Sequence, residues 1–331
     1  MFRLTTIAAA GLGVLLGVVS PAGAADPTPM RLTLNFLAGG PQAGFMYGKK
    51  LGLYEAAGID LTIEEGKGSG TTAQLVATGQ NDVGFADAPA AMQIRSKGGP
   101  VKILAPILQT NGFAIISLEE TGIATPKDLV GKRVAVQPGT AQTTLLDAIF
   151  AANDIDQSEV DIINIDPAAL VGALLENKVD AILAGADFQS VQIRDRGFAV
   201  KDIFYRDVGV PTVGLSIIAR EDRLQDDPEL YKRFVAASLE GWDEARKNPD
   251  AAAAAVVEQF PAADQAQILK QLEVDLQLVC APGAEALGKV PDANWQRTYE
   301  LLTTYLELPK EQPITDYYTT EFLPENPPAC S

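Results

Sequence analysis

Between residues 31 and 220 the chain alternates short strand-like runs with longer segments of helical spacing. Residues 31–36 (RLTLNF) read as a strand, and Gly39-Gly40-Pro41 turns the chain into a helix over 42–51. Residues 59–64 (IDLTIE) alternate apolar and polar positions, as a half-buried strand does. A glycine-rich turn, Gly66 to Gly70, then opens a helix over 71–78. Short strands follow at 82–85 and 101–108, with a helix after Ala86-Asp87-Ala88-Pro89 between them. The plan repeats with strands at 132–136, 160–165 and 179–184, and with helices at 140–152 and 167–176. Such alternation is the pattern of α/β layers with a largely parallel sheet.

Residues 213–220 form one more strand before a purely helical tail. Leu230, Tyr231, Phe234, Val235, Leu239 and Trp242 keep helical spacing, and Asn248-Pro249 caps the next helix. Asp292 caps a further helix carrying Trp295, Tyr299, Leu302 and Tyr305. That periodicity makes both tryptophans core anchors, with the tail helices covering the first half of the fold.

Two stretches echo each other. Residues 75–87 (LVATGQNDVGFAD) and 173–187 (ALLENKVDAILAGAD) both run helix, turn, Asp, short strand, Ala-Asp. Two lobes of one architecture account for the echo. Chance likeness between two αβ units is the alternative, since such units are common.

The first residues carry a different pattern. Met1-Phe2-Arg3 precedes an apolar run from Ile7 to Val19, and Ala22-Gly23-Ala24 offers small residues at a cleavage site. This is the layout of a secretory signal peptide, residues 1–24, with cleavage after Ala24. The run is about 13 residues, short of the roughly 20 that span a bilayer. The mature chain is expected free in a bacterial periplasm or outside the cell. Residues 1–24 hold one Arg and no acid, so the net charge of -17 becomes -18 on cleavage. Such an acidic chain is unsuited to nucleic acid, whose binding depends on Lys and Arg meeting phosphates. Charge for solubility is the simpler reading.

Cys280 and Cys330 are the two cysteines, and an oxidising compartment favours their pairing. The loop between them is worth about 4 kcal/mol on the chain-entropy account. Histidine is absent. That excludes Ser-His-Asp and Cys-His chemistry and His-based zinc sites, leaving carboxylate-only catalysis.

Open α/β sheets bind ligands beyond the carboxyl ends of their strands. That rule collects Asn35, Phe36, Gln42, Phe45, Gly68, Ser69, Gly70, Thr71, Asp87, Thr110 and Asn111 from the first lobe. From the second it collects Gly139, Thr140, Ala141, Gln142 and Asp187. The glycine turns lead into helix N-termini whose free N–H groups suit anionic or polar atoms, unless Ser69 and Thr140 serve only as caps. Neither turn fits a dinucleotide or phosphate-loop pattern. Asp87 and Asp187 suit ligand amines or protonated ring nitrogens. They also resemble the acid and base of a glycosidase, without the sugar-gripping aromatics expected around such a pair. Phe36 and Phe45 either stack a flat ring or pack in the core.

The runs at 35–45 (NFLAGGPQAGF), 52–61 (GLYEAAGIDL), 79–85 (GQNDVGF) and 128–136 (DLVGKRVAV) together resemble the SsuA/THI5-like (NMT1) family. These are substrate-binding proteins of ABC importers for thiamine-pyrimidine precursors, sulfonates, nitrate and related solutes. The resemblance implies a two-lobed periplasmic binding protein type II fold, an α/β Venus-flytrap. Lobe one would hold 28–112 and 214–331 and lobe two 113–213, hinged near 111–115 and 210–215. It further implies a monomer without a cofactor whose partners are a small-molecule ligand and an ABC transporter permease. Phe36 falls where the pyrimidine branch places a stacking aromatic, although that branch's Trp-Pro-Asn pattern is not reproduced. A pyrimidine synthase of the same family consumes its own histidine and uses iron and pyridoxal phosphate; this chain has no histidine.

Overall fold

The computed structural model describes residues 1–2, 26–280 and 283–330. Apart from Met1 and Phe2, the expected leader at 1–24 lies outside the described residues.

Among the described residues ten strands form two five-stranded sheets. The first contains β1 (Thr28–Thr33), β2 (Ile59–Glu64), β3 (Val83–Asp87), β4 (Val101–Pro106) and β10 (Leu215–Arg220), in the order β2-β1-β3-β10-β4. The second contains β5 (Phe113–Leu118), β6 (Arg133–Val136), β7 (Asp161–Asn164), β8 (Ala181–Gly185) and β9 (Val200–Phe204), in the order β7-β6-β8-β5-β9. The two orders are the same plan.

In each sheet four strands run in one direction, and the strand fourth in the order runs antiparallel to both neighbours. That antiparallel strand is the one entering from the other sheet, β10 in the first and β5 in the second. Each sheet is therefore mostly parallel, as the alternation predicts, and is mixed only through that one reversed strand. β5 and β9 are absent from the sequence expectation. All six residues of β5 are buried, so it shows no alternation to read.

The echo has a structural basis. β3 and β8 hold the same place in the two sheets. Asp82 Oδ2 accepts the N–H of Arg31 at 2.8 Å, and Asp180 Oδ2 accepts that of Arg133, also at 2.8 Å. Each of these aspartates thus ties the turn before its strand to the neighbouring parallel strand. Each preceding helix ends on a left-handed residue, Gly79 at φ 73° and Asn177 at φ 55°.

Two segments cross between the sheets side by side. Asn111 N–H donates to Thr212 O at 3.1 Å, and Gly214 N–H donates to Leu108 O at 3.1 Å. The helix Pro228–Lys247 packs on Ala43–Lys50 of the first sheet's layer, with Trp242 fully buried. The helix Asp292–Tyr305 behaves differently. Its Trp295, Leu301 and Leu302 join a core with Leu146, Ile149 and Phe150 of the second half. Thr298 Oγ1 accepts the N–H of Val213 on a crossing segment at 2.9 Å. This helix spans both halves instead of covering the first alone. Asp292 is its first residue and makes no capping bond; Pro291 holds the cap position.

Cys280 and Cys330 form a disulfide with their Cα atoms 5.4 Å apart. It fastens the chain end to the last turn of the helix Gln265–Val279.

Candidate ligand site

The carboxyl ends of the two central strands face one another across the crossing segments. Asp87 ends β3 opposite Leu215, the first residue of β10. Gly185 ends β8 opposite Phe113, the first residue of β5. Asp187 follows in a five-residue π-helical turn, Ala186–Ser190, a distortion that re-aims side chains and often marks functional positions. A side chain at Gly185 would collide with Asp187 Oδ1.

Between these strand ends lies a cavity of about 60 Å³, counted as room for the centres of water molecules. That is space for a few waters, or for a small flat group once they leave. Leu108, Phe113, Leu170, Leu183 and Leu215 supply apolar wall. Phe36 and Phe188 meet edge to face, ring centres 5.4 Å apart, and line both this cavity and an outer cleft of about 810 Å³. The aromatic pair divides the two spaces.

Three carboxyls line the inner cavity: Asp87, Asp187 and Asp275. Asp87 occupies the N-cap position of the helix Ala88–Ser96 but makes no capping bond. Its Oδ2 instead accepts the Ser69 hydroxyl at 2.8 Å, and Ser69 Oγ accepts the Asp87 N–H at 3.1 Å. Burial, the larger effect, and the nearby Asp187 charge raise the Asp87 pKa to about 7 against the Ser69 bond. Burial likewise raises Asp187 to about 6, opposed by backbone N–H groups of Asp187 and Phe188. Asp275 is pushed well above the usual carboxylate range by burial and by the adjacent Asp187. Among the described residues no Lys or Arg lines this cavity, and no group of three or more His, Cys, Asp or Glu is placed to hold a metal ion.

Most of the residues collected from the strand ends do converge here. Asn35, Phe36, Gln42, Gly68, Ser69, Asp87, Asn111, Thr140, Ala141, Gln142 and Asp187 all line the cavity. Gln42 donates to Asn35 Oδ1 at 2.7 Å while its Oε1 accepts the Gly39 N–H at 2.9 Å. Asn111 donates to Thr212 Oγ1 at 2.8 Å and to Val210 O at 3.3 Å, so its amide is committed to fastening the crossing segments.

Five expected residues lie elsewhere. Phe45 is fully buried in the core, 4.8 Å from the Phe85 ring and 6.1 Å from Trp242, because the helix Ala43–Lys50 turns that face toward Pro228–Lys247. Gly70, Thr71, Thr110 and Gly139 do not line the cavity. Thr71 is exposed, two residues past Ser69 and so on the opposite side of the helix.

The glycine turns also depart from the anion-cradle expectation. Gly70 N–H donates to Gly139 O at 3.1 Å, joining the two turns to each other. Thr140 serves as a cap, its Oγ1 accepting the Thr143 N–H at 3.4 Å.

Sequence reasoning missed Gln137, Phe188, Gln189 and Asp275, which also line the cavity. Asp275 comes from the tail helix Gln265–Val279, far along the chain from either strand end. Its signal was present: Ile268, Leu272, Asp275 and Val279 share one buried helical stripe, on which a lone carboxylate is out of place.

The NMT1/THI5-like family profile matches residues 41–252. The chain belongs to that family. It is similar to the riboflavin-binding protein RibY of Chloroflexus aurantiacus, at 24% identity over 92% of this chain and 89% of that one. It is also similar to the 4-amino-5-hydroxymethyl-2-methylpyrimidine phosphate synthase of Legionella pneumophila, at 23% identity over 89% and 92% of the two chains. Among solved structures, the alkanesulfonate-binding protein SsuA of Xanthomonas axonopodis superposes with a TM-score of 0.68 at 16% identity, covering 90% of this chain and 100% of that one. The fold is that of the periplasmic binding proteins.

Proposed function

We propose that this protein is the periplasmic solute-binding component of an ABC importer and that it carries a small nitrogen heteroaromatic of the aminopyrimidine type. The observation that carries the ligand class is the inner cavity: three buried carboxyls, two apolar-faced aromatics at its mouth, and no lining cation among the described residues. Carboxyls accept hydrogen bonds from ring amines and protonated ring nitrogens, while Phe36 and Phe188 offer faces and edges to a flat ring. Two relatives are named for heteroaromatic compounds, riboflavin in one case and an aminopyrimidine phosphate in the other.

A sulfonate or nitrate reading finds less support. An oxyanion needs donors, and the Gly70 N–H is already used by Gly139. Placing a second anion beside buried carboxyls is costly at low dielectric. Capture without chemistry is favoured over synthesis, because the synthase's reaction, as the resemblance has it, consumes a histidine that this chain does not contain.

Ligand would be held between the sheets, its differential contacts favouring the closed arrangement that a permease receives. A thermal-shift panel of aminopyrimidines, riboflavin, taurine and nitrate tests the reading. A true ligand at 100 times its Kd adds about 2.7 kcal/mol. Stabilisation by taurine or nitrate without any by aminopyrimidines would overturn the ligand class, and turnover of a hit would overturn binding without chemistry.

A further inference from the structure

Asp275 is fully buried, and neither of its carboxyl oxygens has a hydrogen-bond partner among the described residues. It lines the inner cavity from the helix Gln265–Val279, and Asp187 lines it from the π-helical turn after β8. The two carboxyls are adjacent on the cavity wall, and the charge of Asp187 raises the proton affinity of Asp275. The supporting frame is fixed from both sides. Gln271, one turn before Asp275, accepts the N–H of Gly40 at 3.0 Å, and Gln189 accepts that of Gly185 at 3.1 Å.

Among the described residues no neighbouring cation neutralises the pair. Lys270, on the same helix, is engaged with Asp195 of the helix Val191–Asp195. Arg206 lies over the Phe204 ring and donates to Asn111 O at 3.3 Å. Tyr205, behind Phe113, is fully buried and directs its hydroxyl to Gln142 O at 3.4 Å. Among the described residues Asp87 is the remaining titratable group on the cavity wall, and it adds a further negative charge when ionised. Two adjacent buried carboxyls cannot both ionise without a counter-charge, so in the empty cavity a proton between them is the cheaper state.

We propose that Asp187 and Asp275 form a proton-sharing acceptor for a cationic nitrogen group, and that capture of the ligand displaces their proton to solvent. The inference rests on the reading of this cavity as the ligand site and adds the charge and proton stoichiometry of its occupant. An amidinium-type edge, as in a protonated aminopyrimidine, presents two parallel N–H donors and one positive charge. Two carboxyl groups accept those donors in charge-assisted bonds and ionise fully in exchange. One positive charge enters and one proton leaves. Burial raises the pKa of both carboxyls in the empty cavity, Asp187 to about 6 and Asp275 well above the usual carboxylate range, so a proton is present to be released. The direction follows: for a permanent cation, affinity rises with pH by up to about tenfold per unit where one proton is released.

Calorimetry of the mature protein with benzamidine, a permanent cation here, and benzamide, its neutral isostere, tests this at pH 6, 7 and 8 in buffers of differing ionisation enthalpy. The expected result is about one proton released per benzamidinium bound at pH 7, tighter binding at pH 8 than at pH 6, and benzamide at least tenfold weaker. Asp275→Asn, checked for an intact fold by its melting transition, loses the proton release and binds benzamidinium at least tenfold more weakly. If that variant fails to fold, the buffer series on the unsubstituted protein decides alone. Failure of benzamidinium to bind, or binding with no buffer-dependent enthalpy, overturns the proposal. An aminopyrimidine that binds without proton release overturns it while leaving the heteroaromatic reading intact. Benzamidinium binding with release, when no heteroaromatic in the panel binds, supports the proton-sharing acceptor and removes that reading.

Discussion

The N–H of Gly70 reaches the carbonyl oxygen of Gly139 at 3.1 Å, a backbone bond between two turns 69 positions apart that belong to different sheets. The approach depends on both turns being bare. A Cβ at Gly70 would stand 3.0 Å from Gly139 O, and Gly68 and Gly139 hold φ of 125° and 81°, conformations that favour glycine.

Gly70→Ala separates closure from folding. Gly70 is the second residue of the helix Ser69–Ala77, where alanine is the better helix former by about 0.5–1 kcal/mol. The ligand-free melting temperature should therefore hold or rise slightly. Affinity for the ligand found in the panel should fall severalfold, because the closed arrangement must accommodate the methyl. Calorimetry beside a melting curve reads both; equal affinity would mean that this bond contributes nothing to closure.

Phe36 and Phe45 lie nine residues apart and predict opposite phenotypes. Phe45→Ala removes a fully buried ring from between Phe85 and Trp242 and should cost about 3–5 kcal/mol of stability by denaturant titration. Phe36→Ala removes one half of the aromatic pair at the cavity mouth and should change stability by less than about 1 kcal/mol. It should weaken a flat ligand by about 0.5–1.5 kcal/mol, the worth of an aromatic pair.

The contrast shows where sequence reading succeeds. Asp87 and Asp187 were legible because each closes the same helix-turn-Asp-strand pattern, and strand ends are where an open sheet leaves room. Phe45 was misplaced because its spacing from Phe36 says nothing about which face of the helix Ala43–Lys50 meets the tail. β5 was illegible since a central strand buried on both faces carries no alternation. Asp275 sits 188 positions from Asp87, and only tertiary packing brings them to one cavity. The exception to its apolar stripe marks it as unusual without saying what it faces.

The buried carboxyls also predict how the ligand-free protein responds to pH. Asp87 and Asp187 have folded-state pKa values raised by burial to about 7 and about 6, so between about pH 4 and 7 the folded state binds more protons than the unfolded chain. Stability then falls as pH rises through that window and levels off above it. For Asp87 the change from 3.8 to about 7 is on the order of 4 kcal/mol at about 1.4 kcal/mol per factor of ten. Urea titrations at pH 5 and 7.5 should show the higher midpoint at pH 5, and Asp87→Asn should reduce the difference. A midpoint that rises toward pH 7.5 would mean that these groups are hydrated and ordinary in the ligand-free state.

The disulfide should act on stability far more than on the site. Cys280 closes a loop to Cys330 across a separation of 50 residues, a constraint worth about 2–5 kcal/mol when removed. Its surroundings are also tied by Arg246, which donates to Ala329 O at 3.0 Å, and by Leu287 N–H to Pro328 O at 2.9 Å. Asp275 lies five residues before Cys280, yet its helix is seated independently. Ile268, Leu272 and Val279 are buried in the first core, Gln271 holds Gly40, and Lys270 pairs with Asp195 across the cleft. Replacing both cysteines by serine should therefore lower the urea midpoint by the equivalent of those few kcal/mol while ligand affinity stays within about threefold. Loss of binding in a variant that still melts cooperatively would show instead that the covalent tie, not the packing of the helix, sets the position of Asp275.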